Sequence, residues 1–324
     1  MQPRIAACLL LLIGVSLTAP VWAQGSQKPA RIGLLSPFDG SRDAFRDAFR
    51  QRLTELGYGV GRNIIIEYRA SGGMADRLQP LARELVQLKV DAIVTATAAG
   101  AQAARQASAT IPIVIAGVDD AVEQGFVVSL AKPGGNVTGV SWLNTELTAK
   151  RVELLKQTLP NVARIAYLRE ALGAGSSLRA AESAARTLGV RLAVMEVRSP
   201  VELDSVFAAL ARERVGAVMV AQSAMLAGEQ ARVIALAAKF RLPTIFAFRD
   251  AVEGGALMSY GPKPTELYRR AADYADRIIR GAKPAELPVE QPTSFELVIN
   301  VKTAAALGVR FPQTILVSAD DAVR

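Results

Sequence analysis

The chain has 324 residues, with 38 Lys and Arg against 30 Asp and Glu, one Cys and no His. The lack of His excludes His-based acid–base chemistry, Ser-His-Asp and Cys-His sites and His-ligated metals. The formal charge is +8, but the basic residues are scattered among acids and few aromatics interleave with them. A mildly basic, solvated surface is therefore expected rather than a nucleic-acid interface.

Residues 1–23 open with Met1 and Arg4, continue as the apolar run 5–19, and end in Pro20-Val21-Trp22-Ala23. That layout is the one of a secretory signal peptide cut after Ala23. An uncleaved anchor fits less well, because the run is shorter than the roughly 20 residues needed to span a bilayer and Pro20 breaks the helix. Cys8 lies inside the run rather than after it, which argues against a lipid-modified cysteine. Removing 1–23 takes away the sole Cys, so the exported chain would have no disulfide and would rely on burial. About 300 residues suffice for that, usually as two domains.

After a polar lead-in, apolar strands alternate with amphipathic helices. Strands are expected at 31–36, 63–68, 91–95 and 111–116, with helices at 43–56, 76–88 and 98–108. Continuous apolar strands separated by helices of this length predict a parallel sheet covered on both faces. Residues 131–139 (AKPGGNVTG) interrupt the pattern with a turn feeding a strand. The rhythm restarts with helices at 147–159, 177–188, 201–214 and 226–240, and strands at 164–168, 191–197, 217–221 and 244–248. A strand at 256–260, a helix at 265–279, a Pro-rich stretch at 283–292, a strand at 295–301 and a short helix at 303–307 follow. Hinge-like stretches near 140–146, 249–255 and 282–292 suggest that the chain crosses between two α/β halves more than once. Asp320 and Asp321 read as a solvated end.

Ligands of open parallel sheets bind beyond the carboxyl ends of the strands. The expected tips carry Ser36, Phe38, Thr97, Ala98, Asp119, Asp120, Trp142, Arg169, Glu170, Ser223, Phe248 and Arg249. Hydroxyls and helix N-termini can hold a carboxylate, an Asp can hold an amine, and Phe38 or Trp142 can cover an apolar body. For Arg169, Glu170 and Arg249 an interlobe salt bridge is the rival role, and Ser36 can serve simply as a helix-starting cap. No dinucleotide or P-loop glycine pattern is present, and no nucleophile–base pair names a reaction.

Four blocks together carry a resemblance. They are Leu56-Gly57-Tyr58 with Gly61-Arg62-Asn63-Ile64 and Glu67-Tyr68-Arg69; the run 129–139; Phe248-Arg249 with Glu253-Gly254-Gly255 and 258–262; and 287–293 with 295–300. In order, over nearly the whole exported chain, they resemble the ABC transporter substrate-binding protein family related to the tryptophan-binding type. The resemblance implies a type I periplasmic-binding-protein fold: two Rossmann-like lobes, each a parallel sheet flanked by helices, joined by three crossovers. It implies lobe 1 at 30–142 plus 253–284 and lobe 2 at 143–252 plus 285–324. It also implies a monomeric periplasmic receptor without cofactor or metal, which captures an amino acid or related solute between hinged lobes. That receptor would deliver the solute to an ABC permease in the inner membrane. A sensor module partnering a separate signalling protein is the alternative. Asp120 keeps the family's carboxylate, whereas Thr97-Ala98-Ala99, Arg169-Glu170-Ala171 and Gln222-Ser223-Ala224 depart from the Gly-Thr-Pro, Trp-Asn-Pro and Pro-Asp-Pro usual there.

Overall fold

The computed structural model describes residues 28–37, 43–142, 144–171 and 175–324, apart from the side chain of Asp43. The segment 1–23, expected to be a signal peptide, and Phe38 lie outside the described residues.

The first sheet contains β1 (Ala30–Ser36), β2 (Ile64–Ala70), β3 (Ala92–Thr95), β4 (Ile113–Asp119) and β5 (Val137–Trp142). They run parallel in the order β2-β1-β3-β4-β5. The helices α1 (Asp43–Glu55), α2 (Leu78–Gln87) and α3 (Ala98–Ala107) connect the first four. All four residues of β3 are buried, as expected for a strand covered on both faces. Leu85, Ala101, Ile113 and Ile115 share one core cluster, and Phe49, Leu53, Val94 and Val114 share another. The β4–β5 connection is a series of turns rather than a helix, as the glycine-rich run before Val137 implies.

The second sheet has β6 (Arg164–Glu170), β7 (Arg191–Val197), β8 (Ala217–Val220), β9 (Thr244–Phe246), β10 (Met258–Gly261), β11 (Glu296–Asn300) and β12 (Asp321–Val323). Their order is β12-β11-β10-β9-β8-β6-β7, and β10–β11 is antiparallel. Its helices are α4 (Asn144–Thr158), α5 (Gly175–Thr187), α6 (Leu203–Arg212), α7 (Ala224–Gly228), α8 (Gln230–Lys239) and α9 (Arg249–Glu253), with α11 and α12 described below. The single helix expected over 226–240 is thus two. The Ser223 hydroxyl accepts from Leu226 N–H and starts the first piece early, and Gly228, a poor helix former, ends it.

The helix α10 (Pro264–Ile279) belongs with the first sheet: its Leu267, Ala271, Ala275 and Ile278 join Phe49 and Val114 in one core cluster. This corrects the expected second crossing at 253. The strand Met258–Gly261 stays in the second sheet between β9 and β11, because Met258 is fully buried in that lobe's core with Ile245 and Ile299. The crossing falls between Gly261 and Pro264, and proline in a first helical turn forfeits no intrahelical bond.

The third crossing is also later than the expected 285. The Leu287 carbonyl accepts from Thr138 Oγ1 at 2.7 Å. Glu290 N–H donates to the Gly139 carbonyl and Ser141 N–H donates to the Glu290 carbonyl, each at 2.9 Å. The segment therefore lies along β5 through residue 290 before returning to form β11, α11 (Val301–Leu307) and α12 (Gln313–Ser318). Asp320 and Asp321 are exposed, as expected of a solvated end, but both are partnered. The Asp320 carboxylate accepts from Leu297 N–H at 2.7 Å, Asp321 pairs with Arg249, and the terminus forms β12.

Gly139 marks where β5 needs a residue without Cβ. Its φ is +126°, and a Cβ there would lie 2.2 Å from the Ile115 carbonyl oxygen and 2.7 Å from its nitrogen. Gly139→Ala is expected to cost roughly 2–4 kcal/mol through combined strain and overpacking, read as a lower urea midpoint.

Candidate functional site

The carboxyl ends of both sheets face one cavity of about 360 Å³ between the lobes. The first lobe contributes the ends of β3, β4 and β5 together with residues at the starts of α1 and α10. The second contributes Glu170 at the end of β6, residues 222–225 after β8, and Phe248 after β9.

Local backbone geometry aims the acidic tip of β4. The pairing of β4 with β5 shifts register between Ala116 and Val118, a bulge that re-aims the following side chains. Gly117 sits in it at φ +99°, where a Cβ would come 2.6 Å from Leu267 Cδ1 of α10. Asp119 then lines the cavity, while Asp120 turns into the left-handed region at φ +44°. The two neighbouring carboxylates are thereby sent to different partners. Asp119 accepts from Gln124 Nε2 at 3.2 Å and from Asn144 Nδ2 at 3.4 Å. Asp120 accepts from Thr145 Oγ1 at 3.1 Å and Ser176 Oγ at 3.2 Å, both in the second lobe.

Asn144 is itself held from behind. Arg151 Nη1 donates to Asn144 Oδ1 at 3.0 Å, and Arg151 Nε donates to the Tyr260 carbonyl at 2.8 Å. With its oxygen so engaged, the Asn144 amide presents its NH2 to Asp119 and to Ser177 Oγ, 3.2 Å away. Arg151 is buried. Burial pulls its pKa down to about 10, opposed by the nearby Tyr167, Tyr260 and Asp119, so it remains charged at neutral pH.

Burial raises the Asp119 pKa above the ordinary carboxylate range, and the Asp120 charge pushes it further up. Burial likewise raises Asp120, against the lowering effect of the Thr145 and Ser176 hydrogen bonds. Proton affinity higher in the folded than the unfolded state means that the contribution of these two groups to stability is fully present below the ordinary carboxylate pKa of about 3.9. It declines as pH rises through the raised values.

Two aromatic pairs supply apolar wall. Phe45 and Tyr268 stack with centroids 5.7 Å apart, and Trp142 and Phe248 stack at 5.2 Å with an interplanar angle of 9°. Thr97 caps α3, its hydroxyl accepting from Gly100 N–H at 3.1 Å. Ala98 and Ala99, whose N–H groups begin the helix, line the cavity.

Of the residues singled out in the sequence, Thr97, Ala98, Asp119, Trp142, Glu170, Ser223 and Phe248 line this cavity. Ser36 lines a small adjoining recess with Phe45 and Tyr268. Asp120 is outside the lining and bridges the lobes. Arg169 is nearly buried and pairs with Glu196 at 3.0 Å. Arg249 clamps the C-terminus: it pairs with Glu253 at 3.0 Å, with Glu296 at 3.3 Å and with Asp321. Sequence reasoning missed Phe45, Gln124 and Tyr268. Phe45 reads as part of the core stripe of α1, and Tyr268 becomes visible only once α10 is known to start at a lobe crossing.

The family model described as ABC transporter substrate binding protein matches residues 33–323. The chain belongs to the ABC transporter substrate-binding protein family. It is 27% identical over 286 residues to a tyrosine-binding protein of Clostridioides difficile, covering 87% of this chain and 82% of that one. Against a Streptococcus pneumoniae ABC domain in complex with L-Trp the TM-score is 0.85 at 27% identity, over 91% of this chain and all of the other. Against the ligand-free, open structure of a Clostridium difficile substrate-binding protein with adhesive properties it is 0.66 at 25% identity, with the same coverages. The architecture is the type I periplasmic-binding-protein fold.

The lobes of this substrate-binding protein lie together. Besides the Asp120 bonds, Arg179 of α5 pairs with Glu123 at 3.3 Å, and a Cβ on Gly228 would stand 3.9 Å from Gly73 Cα across the cleft.

Two substitutions separate site from scaffold. Asp119→Asn removes a costly ionisation, so the unliganded protein is expected to melt about 1–3 °C higher at neutral pH. In a pH series of melting curves, the gain should vanish under acid, where the wild-type carboxyl is already protonated. Arg249→Ala leaves the buried Glu296 carboxylate and Asp321 without their cation. It should destabilise by roughly 1–3 kcal/mol in denaturant unfolding while leaving the ligand affinity of the folded protein unchanged.

Proposed function

We propose that this protein is the extracytoplasmic receptor of an ABC importer. It captures an amino acid or related amine-bearing solute between its lobes and delivers it to a membrane permease. The carrying observation is that the cavity combines a desolvated carboxylate, Asp119, with two stacked aromatic pairs and the start of α3. A ligand ammonium would meet Asp119. A ligand carboxylate would meet the free N–H groups at the start of α3, where the helix dipole favours an anion. The flat body would lie against Phe45, Tyr268, Trp142 or Phe248. The Trp142 indole nitrogen is buried and has no hydrogen-bond partner among the described residues, so it can donate to a ligand acceptor.

Family membership supports the receptor role, and the names of two relatives, one tyrosine-binding and one crystallised with L-Trp, support the amino-acid class. The leader-like segment 1–23 supports export. Among the described residues no helix is long and apolar enough to cross a membrane. The residues bridging the lobes, Asp120, Thr145 and Ser176, would stabilise the closed, loaded state, since a ligand bridging two lobes selects the arrangement in which both contact it.

Intrinsic fluorescence offers a direct test. The chain has two Trp, Trp22 and Trp142, so a protein cut after Ala23 retains only the one stacked in the cavity wall. Titration with amino acids and amines, L-Trp excluded from the fluorescence series, is expected to change the Trp142 emission. The same compounds should raise the melting temperature, as mass action requires: about 2.7 kcal/mol at a hundredfold excess over Kd. Phe248→Ala should weaken the binding by roughly tenfold or more. A folded, ligand-stripped sample that responds to none of these compounds would sink the proposal.

A further inference from the structure

The adjacent residues Arg169 and Glu170 close β6 with opposite charges, and the fold sends them to opposite environments. Arg169 is nearly buried and paired with Glu196, whereas Glu170 lines the interlobe cavity. The cavity lining among the described residues then contains two acidic side chains, Asp119 from the first lobe and Glu170 from the second, and no Lys or Arg. Glu170 makes no hydrogen bond or ion pair to another described residue. Asp119 already accepts from Gln124 and Asn144.

We infer that the ligand is a net-cationic amine: an amino acid, or a solute built like one, that carries a second cationic group for Glu170 on an apolar or aromatic body. This rests on the receptor reading given above and narrows its substrate class. The charge balance carries the inference. A plain zwitterion brings one ammonium and one carboxylate. Asp119 answers the first and the start of α3 answers the second, the helix end counting as roughly half a positive charge. Filling the cavity with such a ligand displaces water from the half-buried Glu170 and gives it nothing in return, which is a costly way to bury a carboxylate. A second ammonium or guanidinium removes that cost and gains a charge-assisted hydrogen bond. The lining aromatics, Phe45, Tyr268, Trp142 and Phe248, also suit a cation, whose approach to a ring face is favourable. Glu170 is then the specificity-determining residue, selecting among ligands that share the same amino-acid head.

Calorimetric titration of the exported chain with two matched pairs tests this: norleucine against lysine, and phenylalanine against para-aminomethyl-phenylalanine. Phenylacetate serves as an anionic probe. In at least one pair the cationic member is expected to bind about tenfold tighter or better, the equivalent of one pKa unit of interaction. Glu170→Gln should shrink that gap to within about threefold. Glu170→Asp, which keeps the charge but retracts it by one methylene, should retain part of the gap. Circular dichroism and melting curves verify that both variants fold. Zwitterions that bind as tightly as their cationic partners in both pairs, or a gap that Glu170→Gln leaves intact, would overturn the inference while leaving the receptor reading standing. Failure of every probe to bind a folded protein would overturn the receptor reading itself.

Discussion

A buried guanidinium holds the hinge of this protein together. Arg151 reaches from α4 to the Tyr260 carbonyl at the end of β10, just before the chain leaves the second lobe, and to Asn144, just after the chain has entered it. Two of the three crossings are thus tied to one side chain. Space is tight around it: a Cβ on Gly261 would lie 2.2 Å from the Ala247 carbonyl oxygen and 3.5 Å from Arg151 Nη2. Burying a guanidinium costs several kcal/mol unless its donors are satisfied, and Arg151 forms none of the ion pairs found among the described residues. Its charge is met by a carbonyl, an amide oxygen and, at longer range, the Asp119 carboxylate. The arrangement links the covalent hinge to the acid that faces the cavity.

That linkage explains how the β4 tip can serve two purposes. The bulge at Gly117 and the left-handed turn at Asp120 separate two consecutive carboxylates. One is oriented by Gln124 and Asn144 toward the space between the lobes. The other accepts hydroxyl hydrogen bonds from Thr145 and Ser176, which arrive only when the second lobe is close. Contact with a solute and contact between lobes are therefore made from neighbouring residues on one rigid strand end. Both carboxyls are held above their ordinary pKa by burial. Such a site is destabilised when it has no cation and gains when one arrives, a common exchange of stability for binding.

The apolar part of the site follows the same economy. Its four aromatics come from four different places: α1, β5, the residue before α9, and α10. The two rings of each pair stack on one another, so each holds its partner's rotamer against a flat solute and little side-chain entropy remains to be lost on binding. The Trp142–Phe248 pair also joins the residue before the first crossing to a loop of the second lobe, so wall and hinge share atoms.

Much of the fold was legible in the sequence because parallel strands buried on both faces must be apolar throughout and their helices amphipathic. β3, β7 and α10 fall close to where periodicity places them, and the strand-end rule brought Thr97, Asp119, Trp142, Glu170, Ser223 and Phe248 to one cavity. The lobe to which Met258–Gly261 belongs was not legible, since an apolar strand fits either core and only the packing of Met258 between Ile245 and Ile299 selects one. Nor was the division of labour within Asp119-Asp120 or Arg169-Glu170. Alternation along a strand says that neighbours point apart, not which of them meets solvent, a partner carboxylate or the cavity. The sequence by itself determined the α/β class, the two-lobed plan, the absence of His chemistry and the family. Only the tertiary structure decided that the cavity wall is acidic and aromatic, with no Lys or Arg among its described lining residues, because that depends on Glu196 and the C-terminal carboxylates, distant in the chain, drawing Arg169 and Arg249 away from it.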